Sequence, residues 1–330
     1  MNCELKKVIA IICGGDTSEH DVSMRSAAGI QSFMDSERYN IYKVEIHAGK
    51  WEAILDDGQR SAVDRNDFSF ADEQGKTIRP DFCYITIHGA PGENGVLQGY
   101  LELIGMPYST SGVLVEALTY DKFATNNYMR SLGVKVADSL TIRIGHENDV
   151  SDQEILDRIG LPCFVKPSRG GSSFGTTKVK TPDALRPAIQ LALKEGEDVM
   201  VEAFMQGTEI TCGCYKTRNV SHVFPITEVV TANEFFDYDA KYNGQVDEIT
   251  PARISDRLTQ RVQTLTSTIY DILGCYGIIR IDYIITQGDV INLLEINTTP
   301  GMTPTSFIPQ QVRAAGLDIR EVMTDIIENR

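Results

Sequence analysis

The chain has 330 residues, 42% of them hydrophobic, with 31 Lys and Arg against 46 Asp and Glu, which leaves a net charge of -15 and an isoelectric point near 4.8. Such a length supports two or three domains with real cores, and so acidic a balance excludes a general binder of nucleic acid or anionic membrane, which needs a basic face. Seven scattered cysteines without Cys-x-x-Cys or zinc spacing read as reduced core residues of a cytoplasmic protein, and the first apolar run, 8–13, is too short for a signal sequence or a membrane span.

The run 8–13 predicts a buried strand ending at Gly14-Gly15, and Ser18-Glu19-His20-Asp21 has the form of a capping box opening a helix through about Phe33. Strands follow over 41–46 and 82–87, the second leading into His88-Gly89-Ala90-Pro91-Gly92-Glu93-Asn94-Gly95 and a helix to about Ile104. This alternation predicts an open α/β sheet with ligands at the carboxyl ends of its strands. After a helix over 121–132, helices over 151–159 and 182–195 flank strands over 163–166 and 176–179, which is α+β texture. A larger α+β region closes the chain, with a last helix over 318–328. The expected domains are 1–119, 120–200 and 201–330.

Within that frame, Lys166 ends a strand and is followed by Pro167-Ser168-Arg169-Gly170-Gly171-Ser172-Ser173-Phe174-Gly175, small residues whose backbone N–H groups can approach phosphate. The loop is neither a Walker A nor a dinucleotide fingerprint, and by itself it could equally be a hairpin tip. Glu202 and Glu209 stand seven apart around a short connector in an apolar strand, suited to an adenine amine and a ribose hydroxyl or simply solvated. The aromatic, charged stretch 233–242 has the composition of a lid, with Lys241 reaching inward, or of a self-packed surface loop.

The runs 278–285 and 290–296 predict a β-hairpin. An even-length loop centred between Gln287 and Gly288 would set Asp282 opposite Leu293 and Arg280 opposite Glu295, with Asn297 on the same face. Acids in nearly continuous apolar strands need a partner or a metal, and two carboxylates with an amide oxygen suit Mg2+ bound to phosphate.

Five segments in order resemble the D-alanine:D-alanine ligase family of ATP-grasp enzymes: Gly14 to Ser23, His88 to Gly95, Lys166 to Gly175, Tyr238 to Tyr242, and Arg280 to Met302. The resemblance spans nearly the whole chain and implies an ATP-grasp fold of three domains with an N-terminal α/β domain. It implies ATP on Lys122, Lys166, Ser173 and Lys241, with adenine at Glu202, Ala203 and Met205 and the ribose at Glu209. Two Mg2+ (or Mn2+) ions would lie on Asp282, Glu295 and Asn297. The reaction implied joins two D-alanine molecules through an acyl phosphate for cell-wall peptidoglycan synthesis. Glu19 would take the first ammonium, Ser172 and Tyr242 would tie the lid to the pocket, and Arg280 with the Gly301 N–H would face the oxyanion. Ser306 and Phe307, with His88, would form the second pocket. A cytoplasmic homodimer is expected by the same resemblance, and Ala90 and Pro91 depart from its pattern.

Overall fold

The computed structural model describes residues 6–171, 174–231 and 246–330. β1 (Lys7–Gly14) forms the centre of the first sheet because its side chains are apolar on both faces: Ile9, Ile11 and Cys13 point into one core, Ala10 and Ile12 into another. It pairs in parallel with β2 (Tyr39–His47) and with β7 (Phe82–Ile85). The short antiparallel strands β3 (Lys50–Ile54) and β4 (Arg60–Ala62), not anticipated from periodicity, extend the β2 edge, so the order is β4-β3-β2-β1-β7. A small hairpin of β5 (Phe70–Ala71) and β6 (Thr77–Ile78) stands beside it.

Helix α1 (His20–Phe33) lies on the Ile9/Ile11 face and α2 (Val96–Leu103) on the other. The capping box expected at the start of α1 does not form. Thr17, one residue upstream of Ser18, supplies the local turn, its Oγ1 accepting from the Glu19 N–H at 3.3 Å, and Glu19 occupies the cap position without a side-chain bond of that kind. This leaves the Glu19 carboxyl to project from the helix entrance.

The chain then runs through α3 (Val113–Tyr120) and α4 (Lys122–Ser131) into a four-stranded antiparallel sheet. Its order is β10 (Thr177–Val179), β9 (Cys163–Pro167), β11 (Asp198–Ala203), β8 (Ser139–Arg143). Helices α5 (Asp152–Ile159) and α6 (Leu185–Ala192) cover one face of it.

The third sheet is built on the long strands β12 (Gly207–Lys216) and β16 (Gly277–Thr286), with β13 (Ser221–Val223), β14 (Thr227–Thr231), β15 (Val246–Ile249) and β17 (Val290–Asn297) around them. Helix α7 (Asp256–Leu273) packs on one face through Leu258, Val262 and Ile269. From the other side, α8 (Phe307–Ala314) and α9 (Ile319–Glu328) fold back onto the first sheet, so Ile308, Val312, Val322 and Met323 share a core with Ile9 and Ile11. That return brings the turn 298–306 over the mouth of the first sheet. Among the described residues no helix is long and apolar enough to cross a membrane.

Candidate active site

Opposite the carboxyl end of the first sheet, the loop after β9 closes on α1. Asp121 caps α4 by accepting from the Ala124 N–H at 3.0 Å and also holds Ser168 Oγ (2.7 Å) and Arg169 Nε (3.1 Å), while the Lys122 N–H donates to the Ser168 carbonyl at 2.9 Å. Thus anchored, the loop presses Gly171 on Glu19: a Cβ there would stand 2.5 Å from Glu19 Oε2 and push the carboxyl aside.

These elements and the 298–307 turn enclose a cavity of about 580 Å3. It is lined by Glu19, His88, Glu93 and Lys122 from the first half of the chain and by Arg280, Glu295, Asn297, Gly301, Ser306 and Phe307 from the second. Lys122 Nζ lies 3.4 Å from Glu295 Oε1 and also bonds the Gly170 carbonyl. It therefore carries its charge from the loop to the hairpin.

The hairpin register differs from the one expected. Asp282 stands opposite Glu295 and Arg280 opposite Asn297, whereas Leu293 pairs with Tyr283 and is fully buried on the other face. The loop is three residues long, with Gly288 and Asp289 at positive φ between the Thr286/Val290 pair, and an odd loop by itself would have put Asp282 and Glu295 on opposite faces. A register shift between Asp282 and Tyr283 leaves Leu294 as the extra residue and restores the shared face. It occurs where the outer edge of β17 meets another segment, the Leu293 N–H donating to the Lys135 carbonyl at 2.8 Å.

On that face Arg280 grips Asp282 with two parallel bonds, Nε to Oδ1 at 2.9 Å and Nη2 to Oδ2 at 2.8 Å. Thr211 Oγ1 (2.6 Å) and Asn297 Nδ2 (3.1 Å) donate to the same carboxylate. Burial disfavours the Arg280 charge, but Asp282 more than offsets this and raises the guanidinium pKa above its ordinary value. Arg280 also lies 5.4 Å from the centre of the Phe307 ring, which holds it against the cavity wall.

His88 is buried, and burial lowers its pKa below the ordinary imidazole value. Its Nε2 meets Ser26 Oγ at 3.2 Å and the ring also bonds the Thr299 backbone, so it joins α1 to the 298–306 turn. Ser306 is the cap residue of α8, its Oγ accepting from the Thr303 N–H at 3.1 Å and lying 3.1 Å from where a Gly301 Cβ would be.

Outside the cavity lining, Lys166 pairs with Glu202 at 2.6 Å, and Asn126 donates to the other Glu202 oxygen at 3.1 Å. The Ala203 N–H is engaged by the Asp138 carbonyl at 2.8 Å, Met205 follows β11, and Glu209 sits partly exposed on β12. Ser172, Ser173, Lys241 and Tyr242 lie outside the described residues.

Two acids escaped the sequence reading. Glu93 accepts from the Gly89 N–H at 2.7 Å, and burial, reinforced by the Glu19 charge, pushes its pKa up to about 8. Glu116 on α3 is completely buried, its pKa raised by desolvation, and accepts from Thr298 Oγ1 at 2.6 Å just after Asn297. Glu93 could have been found as an acid between glycines after a buried strand. Glu116 reads as an ordinary surface position of a helix.

The same elements recur in known proteins. A family model described as D-ala D-ala ligase N-terminus matches residues 8–111, and one described as D-ala D-ala ligase C-terminus matches residues 128–328. D-alanine–D-alanine ligase from Bacteroides fragilis is 66% identical over 326 residues, covering 99% of this chain and 100% of that protein. The one from Porphyromonas gingivalis is 51% identical over 98% of both. Among solved structures, D-alanyl-alanine synthetase A from Vibrio cholerae superposes with a TM-score of 0.87 at 27% identity, over 98% of each chain. The VanG D-Ala:D-Ser ligase from Enterococcus faecalis does so with a TM-score of 0.86 at 31% identity, over 98% of this chain and 99% of that one. With both halves matched in order and the fold shared end to end, the chain is an ATP-grasp enzyme and belongs to the D-alanine–D-alanine ligase family.

Proposed function

We propose that this enzyme joins two D-alanine molecules into D-alanyl-D-alanine, using ATP and a divalent cation, to supply peptidoglycan synthesis in the cytoplasm. The observation that carries this reading is the single cavity holding Glu19, Lys122, Arg280, Glu295 and Ser306 together, in a chain 66% identical to a D-alanine–D-alanine ligase. An amino acid offers an ammonium and a carboxylate, and the cavity walls carry the complementary charges.

The first D-alanine sets its ammonium against Glu19 and its carboxylate toward the γ-phosphate of ATP. Lys122, Lys166 and Lys241 meet the phosphates, Glu202 with the backbone of Ala203 and Met205 meets adenine, and Glu209 meets the ribose. Ser173 belongs to the phosphate loop. The carboxylate oxygen attacks phosphorus, ADP leaves, and an acyl phosphate remains. The second D-alanine, its carboxylate at Ser306 and Phe307, attacks the acyl carbon and expels phosphate. Arg280 and the Gly301 N–H face the oxyanion of that step, His88 shapes the second pocket, and Ser172 and Tyr242 secure the lid against water.

Two Mg2+ or Mn2+ ions fit Asp282, Glu295 and Asn297 because all the donors are oxygens, the choice of a hard cation. Among the described residues no cluster of three His, Cys, Asp or Glu is placed to hold a metal, so the Asn297 amide and the phosphate oxygens must complete the shell. When bound, such ions neutralise charge on the transferring phosphoryl group. The domains that divide this work are 1–119, 120–200 and 201–330.

A homodimer has support in an exposed apolar surface on α2 and α3. Val96 and Leu103, seven apart on one face of α2, are 63% and 87% exposed, and Leu114 is 78% exposed where α3 begins beside Gly95 and Gly99. Light scattering is expected to give twice the chain mass, and Leu103→Glu with Leu114→Glu to give the monomer. A monomeric unmodified protein would remove the dimer from the proposal.

The central test is substrate dependence. Phosphate release from MgATP is expected only with D-alanine, in step with dipeptide, and well above that with D-lactate or D-serine as second substrate. Absence of dipeptide at millimolar D-alanine would overturn the assignment.

A further inference from the structure

We propose that Glu93 takes the proton that the second amino acid must lose before its nitrogen can attack. This rests on the acyl-phosphate reading above. An α-ammonium has no lone pair to give, so a basic group must stand beside it at the moment of reaction.

Glu93 lines the cavity together with Glu19, Arg280, Gly301 and Ser306, the groups assigned to the two substrates. Its orientation is set by the backbone, Oε2 accepting from the Gly89 N–H at 2.7 Å. That turn requires glycine: Gly89 has φ 77, and a Cβ there would meet Thr17 Cγ2 at 2.7 Å. The residue is half-buried at the cavity wall.

Most of the other described titratable groups of the wall are engaged, Glu248 as the acceptor of a bond from Gln310 Nε2 and Glu295 as a proposed cation ligand. His88 spends its ring on Ser26 and the Thr299 backbone. Lys122 is a cation bridging Gly170 and Glu295, and Arg280 holds Asp282. Glu19 is assigned to the first ammonium. Facing Glu93 are Glu19, Glu116 and Glu295 with like charge, Lys122 and Arg280 with opposite charge, and the Tyr120 phenol. Burial, reinforced by the Glu19 charge, raises its pKa.

The step balances as follows. One ammonium proton passes to the Glu93 carboxylate, the freed lone pair forms the C–N bond, and the C–O bond to phosphate breaks with its electron pair on the departing phosphate. The second N–H proton leaves with that phosphate when the tetrahedral intermediate collapses, and Glu93 returns its proton to solvent.

Hydroxylamine separates this role from a structural one, because it is uncharged at neutral pH and needs no base to attack an acyl phosphate. With ATP, Mg2+ and D-alanine, Glu93→Gln is expected to lose dipeptide formation by about 100-fold while forming D-alanine hydroxamate at the wild-type rate. Glu93→Asp, which keeps the carboxyl but withdraws it, is expected to recover part of the dipeptide rate. Equal loss of both products in Glu93→Gln, or dipeptide formation at the wild-type rate, would overturn the assignment. No hydroxamate from the wild type would overturn the acyl-phosphate reading beneath it, and this one with it.

Discussion

Glu295→Gln is expected to lower D-alanine-dependent phosphate release by about 100- to 1,000-fold and to move the thermal midpoint by only a few degrees. The substitution keeps the shape of the side chain and removes its charge. Its Lys122 contact is 3.4 Å long with the Glu295 side chain 29% exposed, so solvent screens it, and Lys122 retains the Gly170 carbonyl. That ion pair, therefore, adds little to the fold. In the reaction, a charged oxygen donor proposed for the cation disappears at the hairpin face that meets the phosphates. Steady-state phosphate release and a thermal melt on the same preparation check this. Activity and stability falling together would return Glu295 to a structural role.

The second large effect is at Arg280, where the expected loss has two separable parts. Arg280→Met abolishes both bonds to Asp282 and leaves that carboxylate largely buried beside Thr211 and Asn297. Breaking one side of such a pair costs roughly 3 kcal/mol, in addition to the loss of catalysis. Asp282→Asn combined with Arg280→Met removes the stranded charge, so denaturant melts are expected to recover most of the stability, while dipeptide formation stays at least about 100-fold down because both the oxyanion donor and a proposed cation ligand are gone. Arg280→Lys is expected to fold with smaller loss yet remain poor in turnover, since an ammonium cannot reproduce the two-pronged grip or its orientation. Recovery of turnover in the double variant would overturn both the oxyanion role of Arg280 and the metal role of Asp282.

How far the site was legible differs from residue to residue. Lys166 at a strand end and the glycines after it form a local pattern that the sequence alone displays, while the pairing of Lys166 with Glu202 joins residues 36 apart and does not show there. Arg280, Asp282, Glu295 and Asn297 were readable as one face, but for a register that proved wrong. The three-residue loop around Gly288 and the extra residue Leu294 each shift parity once, and the two shifts cancel. No local rule announces the second shift, because it arises where β17 meets the 135–136 segment, more than 150 positions away in the chain. The capping box at Ser18 failed for a nearer reason: Thr17, one position upstream, supplied the turn.

Glu93 and Glu116 mark the limit of such reading. Glu116 is an unremarkable acid by its neighbours and Glu93 only an acid between glycines, and each acquires its raised pKa when burial removes water and, for Glu93, when Glu19 is brought near. The sequence by itself determined what depends on chain neighbours: the both-sided apolar strand of residues 8–13, the α/β beginning and α+β continuation, the glycine loop and the acids and arginine of the last hairpin. Only the tertiary structure decided which groups share a cavity. α8 and α9 fold back onto β1 and carry the 298–306 turn to the mouth of the first sheet, while Asp121 draws the Gly170-Gly171 loop onto Glu19. Those contacts join distant parts of the chain, and the field each charged group feels depends on distances in space that sequence separation does not record.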